Sequence, residues 1–148
     1  MRPPSLHEAR LLARALISVA RTRATLRPNR LGAILDRTAA TPSAPRTPAS
    51  LADMREIAWS VRNAARLVPG ATCLTQALAG RELLAARGRR SAISITLPKG
   101  GDAPRPHAWL LCEDTIVLGG TAVELAGHRP LTAYASDTPD TVVAETPR

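Results

Sequence analysis

Apolar residues fall into two periods along this chain, helical in the first half and alternating in the second. Leu12, Leu16 and Val19 recur at helical spacing across residues 6–25 with Arg10, Arg14 and Arg21 largely on other faces, which predicts an amphipathic helix that Pro28 interrupts. A short second helix is expected through Leu31, Ile34 and Leu35, followed by an exposed connector over residues 41–48, which carries three prolines among Ser, Thr and Ala. The next helix is better marked. Ser50 with Asp53 three positions on forms a capping pattern, Leu51, Met54, Ile57, Val61 and Ala65 make one apolar stripe, and Pro69-Gly70 ends the run. A further helix starts at Thr72 or Cys73 with Leu74, Ala77, Leu78, Leu84 and Ala85 inward, and Gly88 is placed to stop it.

Beyond Gly88 the spacing alternates. Ile93, Ile95 and Leu97 share one side of a strand over residues 91–97, and a loop rich in Pro and Gly follows to Pro106. Residues 107–112 and 115–118 read as two strands of an antiparallel hairpin turning at Glu113-Asp114. Gly119-Gly120 ends it, residues 131–135 supply a last strand, and disorder is expected from residue 136. Helices first and a small antiparallel sheet afterwards define an α+β chain. The expected division is a basic helical N-terminal region over 1–46, a core over 47–135 and a tail over 136–148.

With 148 residues, no Phe, one Tyr and two Trp, the single core must be built mainly from Ala, Leu, Val and Ile. The charge of +8 is local: residues 1–46 hold nine Arg against Glu8 and Asp36, a net +7. That points to an anionic partner for the N-terminal part. Nucleic acid fits poorly, because aromatic residues for base stacking are scarce and the rest of the chain is near neutral. The stretch from Leu11 to Ala20 is too short and too charged to span a bilayer, and two cysteines 39 positions apart suit a reduced, cytoplasmic setting better than a disulfide framework.

Cys73 follows a Pro-Gly turn at a helix start, where unpaired N–H groups favour an anion and offer donors to a developing oxyanion. His107 opens a strand and shares a face with Trp109 and Leu111, so that a helix end packed across that face brings imidazole to thiol. Cys112 lies at odd spacing from His107 and is expected in the core. His7 is near the terminus and His128 is expected in a loop bounded by Gly and Pro. No ligand spacing for a metal and no phosphate-cradling glycine loop occurs, so no metal and no cofactor is expected.

The segments Cys73-Leu74-Thr75-Gln76-Ala77-Leu78, Leu83-Leu84, Arg87-Gly88 and Pro106-His107-Ala108-Trp109-Leu110 together resemble the leader peptidases of lasso-peptide biosynthesis, over about residues 59–120. The resemblance implies a transglutaminase-like fold and a cysteine protease that removes the leader from a ribosomally made precursor peptide. It makes Cys73 the nucleophile and His107 the general base and acid. It also implies three partners: the precursor, a separate small protein that recognises the leader, and an ATP-dependent macrocyclase. In that family an Asp lies about twelve residues beyond the His, whereas this chain has Gly119 there. Glu113 and Asp114 are poor substitutes, because six residues of strand put them roughly 20 Å from His107. Glu124, Asp102, a backbone carbonyl or a water remain as groups to orient the imidazole. The missing acid also leaves open a non-catalytic peptide-binding module on the same fold.

Overall fold

The computed structural model describes residues 5–26, 47–100 and 105–135, with the backbone alone over 132–135. The expected helix through Leu31, Ile34 and Leu35, most of the connector over 41–48, and the tail from residue 136 lie outside the described residues. Three long helices come first: α1 (Leu6–Thr25), α2 (Leu51–Leu67) and α3 (Cys73–Ala86). Strands β1 (Ala92–Pro98), β2 (His107–Cys112) and β3 (Thr115–Leu118) follow, then a short helix α4 (Ala122–Ala126) and β4 (His128–Ala135). The chain is α+β, with a four-stranded antiparallel sheet in the order β3-β2-β1-β4.

Each long helix starts where its side chains satisfy the first turn. Ser5 with Glu8, Ser50 with Asp53 and Thr72 with Thr75 are reciprocal capping boxes. The inward faces are rotated slightly from the expected stripes. In α2, Ile57, Ser60, Val61 and Ala64 are buried while Leu51, in the first turn, projects into solvent. Helix α3 is the centre of the domain. Thr75, Ala77, Leu78, Ala79, Gly80, Arg81 and Leu84 are all buried, because α1 and α2 cover one side of the helix and the sheet covers another.

Cross-strand pairing decides which side of the sheet meets the helices. Ile93 stands opposite Leu110 and Ile95 opposite Ala108, and these residues join Ala15, Val19, Val61 and Leu84 in one apolar cluster. Thr96 opposite His107 and Ser94 opposite Trp109 belong to the other face. The helices therefore do not pack across the face that carries His107 and Trp109, as the alternation had implied. They pack on the face of Ala108, Leu110 and Cys112, whose side chains are apolar without interruption. His107 reaches the helical layer from the rim, as the first residue of its strand.

The last strand differs in place and length from the expectation. It begins at His128 and pairs with β1 at the edge opposite β3. The intervening helix α4 escapes apolar periodicity because none of its residues is buried, but Thr121 and Glu124 cap it reciprocally.

Gly80 sets the distance between α3 and the sheet. A Cβ there would stand 2.6 Å from Leu110 Cδ2 and 2.8 Å from Leu118 Cδ1, both in fully buried side chains with no room to withdraw. Helix propensity favours Ala over Gly by up to about 1 kcal/mol, but overpacking a core costs about 1–3 kcal/mol. Gly80→Ala is thus expected to destabilise the domain by about 1–2 kcal/mol in urea unfolding, against the usual sign for a helix.

The C-terminal end of α3 is anchored by charge. Arg87 reaches Asp53 at 3.0 Å and Glu56 at 2.8 Å, Arg89 reaches Asp53 at 2.9 Å, and His7 of α1 contacts Glu56 at 3.1 Å. Burial raises the proton affinity of Asp53, but donors from Ser50 and Arg87 and the charge of Arg89 outweigh it and hold the carboxyl below its ordinary value. For Glu56 the His7 contact leads, burial opposes it, and Arg87 brings the carboxyl down in the same direction. A carboxyl depressed on folding contributes stability that is present above its unfolded value, near about 4, and is lost as pH falls through the lower folded value. Asp53→Asn is expected to cost of the order of 1 kcal/mol at neutral pH and to flatten the acid limb of a stability–pH curve measured with urea.

Candidate active site

The turn Pro69-Gly70, with Gly70 at φ 73°, delivers the chain to Thr72, the N-cap of α3. The hydroxyl of Thr72 accepts from Thr75 N–H at 3.3 Å and the hydroxyl of Thr75 accepts from Thr72 N–H at 3.2 Å. Cys73 is the first helical residue and is half-buried. The N–H groups of Cys73 and Leu74 lack acceptors within the helix by its geometry, and so stand as donors beside the thiol.

Cys73 and His107 line one cavity of about 260 Å³, together with Arg62 of α2, Gln76 of α3, Gly119 and Gly120. The imidazole Nε2 lies 2.7 Å from the carbonyl oxygen of Gly119. A carbonyl can only accept, so Nε2 carries the proton and the neutral ring keeps Nδ1 as its basic nitrogen. The group opposite His107 is therefore twelve residues on, as the spacing predicts, but it is main chain. Of the orienting groups left open by the sequence, the Gly119 carbonyl makes this contact; Asp102 lies outside the described residues.

The main chain at this position suits glycine. Gly119 adopts φ 121° and Gly120 φ 150°, a region that L side chains rarely enter. A Cβ on Gly119 would lie 2.7 Å from Trp109 Cε3 and 3.1 Å from Trp109 Cα; one on Gly120 would meet Glu124 Oε2. The double glycine lets the main chain lie flat on the indole and turn a carbonyl to the imidazole. Trp109, fully buried, thus packs behind the site, its ring centre 4.7 Å from that of His107 in an edge-on arrangement. Gln76 lines the cavity itself.

His128 is not in a loop. It opens β4, and its ring lies 6.0 Å from that of His107 and 5.5 Å from that of Trp109. Trp109 Nε1–H donates to the buried hydroxyl of Thr96 at 2.8 Å, and that hydroxyl is 2.8 Å from His128 Nδ1. Since the Thr96 oxygen accepts from the indole, its own proton is available to Nδ1, and the chain Trp109–Thr96–His128 locks three strands behind His107. The sequence signal for His128 was the capping pair Thr121 and Glu124, which marks α4 and so moves the start of the next strand forward. Arg62 carried no signal, since an Arg on an amphipathic helix is ordinarily solvated.

Glu124 supplies negative charge without contact. Its Oε2 takes Thr121 N–H at 2.6 Å and Thr121 hydroxyl at 2.9 Å. Those two bonds, more than the facing charges of His107 and His128, hold its carboxyl below the usual value. Cys112 has the opposite environment. It is buried, and burial first, then the charges of Glu113 and Asp53, push its thiol up to about 11. Cys112 is thereby an inert thiol at neutral pH, as expected for a core residue.

A second cavity, of about 270 Å³, lies between the helices beside Leu11, Arg14 and Arg87, and neither thiol nor imidazole lines it. Among the described residues no three His, Cys, Asp or Glu side chains are grouped to hold a metal ion, and no helix is long and apolar enough to cross a membrane.

Restoring an acid at position 119 is expected to harm the site. Gly119→Asp and Gly119→Ala should each destabilise the domain by about 1–3 kcal/mol in urea unfolding and withdraw the carbonyl from His107. The companion readout is a slower alkylation of Cys73 by iodoacetamide in both variants, with no advantage for Asp.

Comparison with curated proteins and with solved structures returns no match. The family comparison does: residues 18–133 match the transglutaminase-like superfamily, which commonly contains cysteine peptidases and transglutaminases. The matched span runs from the second half of α1 into β4 and includes every residue lining the cavity, and on it the chain belongs to the transglutaminase-like superfamily.

Proposed function

We propose that this protein is a cysteine peptidase that removes the leader from a ribosomally made lasso-peptide precursor, with Cys73 as nucleophile and His107 as general base and acid. The observation that carries the reading is the single cavity lined by the thiol at a helix start and by an imidazole whose tautomer leaves Nδ1 basic. The choice of leader peptidase within the superfamily is supported by the sequence resemblance around Cys73 and around His107. Its partners would be the precursor, a small leader-recognition protein and an ATP-dependent macrocyclase acting on the freed core peptide.

In this mechanism Nδ1 of His107 takes the proton from Cys73 Sγ, and the thiolate attacks the scissile carbonyl carbon. The oxyanion forms beside the N–H groups of the first turn of α3. The proton on Nδ1 passes to the leaving amine as the C–N bond breaks, leaving a thioester on Sγ. Water then gives a proton to Nδ1 and attacks the thioester, and the returning proton restores the thiol. The Gly119 carbonyl holds the ring through both transfers.

A second reading, a non-catalytic peptide-binding module, is favoured by one fact, the neutral carbonyl where the family has a carboxylate. The two separate in one assay, in which the purified chain is incubated with its cognate precursor and the leader-recognition protein and products are read by mass spectrometry. Cys73→Ala is expected to abolish cleavage and His107→Ala to lower it by about a thousandfold or more. Cleavage surviving in Cys73→Ala would overturn the peptidase reading; precursor binding without cleavage by the native chain would establish the module.

A further inference from the structure

The arginines of this fold divide by partner. Arg87 is paired with Asp53 and Glu56 and Arg89 with Asp53, and they hold helices together. Arg62 lines the cavity of Cys73, and among the described residues no carboxylate pairs with it. Its guanidinium makes one long contact, Nη2 donating to the carbonyl of Val117 at 3.4 Å, which engages one of five N–H donors and turns the group towards the end of β3. The rest of the lining is chemically narrow. Gly119 and Gly120 present main chain, Gln76 is neutral, and His107 is a cation only when protonated. Among the described residues no carboxylate and no large apolar side chain lines this cavity. Among the described residues Glu124 is the acid on the glycine side, and it is tied to Thr121.

We infer that Arg62 is a specificity residue that takes the side-chain carboxylate of an Asp or Glu lying beside the scissile bond of the peptide. A planar guanidinium matches a carboxylate with two parallel hydrogen bonds, and a cavity whose described lining holds one permanent cation and no anion selects for that group. The pairing would also seat the peptide against the α2 side of the cavity, away from Glu124, with its carbonyl over Cys73.

The inference rests on Cys73 being the nucleophile, and its test keeps the two apart without needing the precursor. Cys73 is alkylated with iodoacetate, which carries a carboxylate one carbon from the reacting centre, and separately with the neutral iodoacetamide; both rates are read by peptide mass spectrometry. The buried Cys112 marks any loss of fold by becoming labelled. Relative to free cysteine in the same buffer, the iodoacetate-to-iodoacetamide ratio at Cys73 is expected to be raised roughly fivefold, the size of one exposed ion pair. Arg62→Gln should return the ratio to that of free cysteine, and Arg62→Lys, which keeps the charge but not the fork, should retain part of it. A native ratio equal to that of free cysteine, or one that Arg62→Gln leaves unchanged, overturns the inference and leaves the peptidase reading standing. Cys73 inert to both reagents removes the nucleophile and the inference with it. Should Arg62→Gln expose Cys112, the native ratio and the Lys variant decide.

Discussion

The close approach of α3 to the sheet at Gly80 is the constraint on which the site depends. Cys73 is carried at the start of that helix and His107 at the start of a strand, and neither side chain can adjust far on its own. Their common cavity exists because Leu110 and Leu118 lie directly against a residue without a side chain, seven positions along the helix from the thiol. A protein interior packed to crystal-like density transmits a shift rather than absorbing it. A methyl group at Gly80 therefore displaces the helix, and the helix displaces Cys73. Stability and the geometry of the thiol are one quantity in this core.

A second close approach performs the same service for the histidine. Gly119 and Gly120 lie against Trp109, and that contact turns the Gly119 carbonyl to Nε2. Trp109 is in turn fixed by its bond to Thr96, and Thr96 meets His128 across β1 and β4. The orientation of one imidazole is thus set by residues from β1, β2 and β4 and from the double glycine after β3. Conformational freedom is used at this position, and the group that meets the imidazole is a main-chain carbonyl.

Much of this was legible in the sequence because it is local. Helical spacing placed α1, and the Ser50/Asp53 capping pair, the Pro-Gly turn and the two-residue hairpin turn at Glu113-Asp114, each acting over three or four residues, placed α2, α3, β2 and β3. The twelve-residue spacing located the group opposite His107, since a short hairpin fixes that distance. What escaped was set by tertiary packing. The face of the sheet that meets the helices depends on how Leu110 fits at Gly80, which periodicity cannot express when both faces of β2 carry apolar residues. His128 was displaced by the exposed α4, and β4 joined the far edge of the sheet, a pairing decided by β1 rather than by the hairpin. Arg62 looked like a solvated charge because its significance lies in the cavity it borders.

Replacing a carboxylate by a carbonyl changes one of the two things the third member of such a site does. The tautomer is kept: Nε2–H points at an oxygen, and Nδ1 remains the base. In serine proteases a substitution that spoils the tautomer costs about ten-thousandfold in turnover, and nothing in this geometry incurs that loss. What is weakened is the electrostatic support of the imidazolium, since a hydrogen bond from a charged ring to a neutral carbonyl contributes about 1.5–3 kcal/mol and brings no countercharge. Glu124 restores a negative charge to the neighbourhood, but it is exposed and tied to Thr121, and a solvent-screened charge contributes little. On the proposed peptidase reading, the arrangement suits a slow, committed cut on a peptide held in place by other contacts. Where binding supplies orientation, the imidazolium need only be formed in the transition state, and a cation such as Arg62, if it seats the peptide as inferred, would contribute to the same barrier that a carboxylate would have lowered.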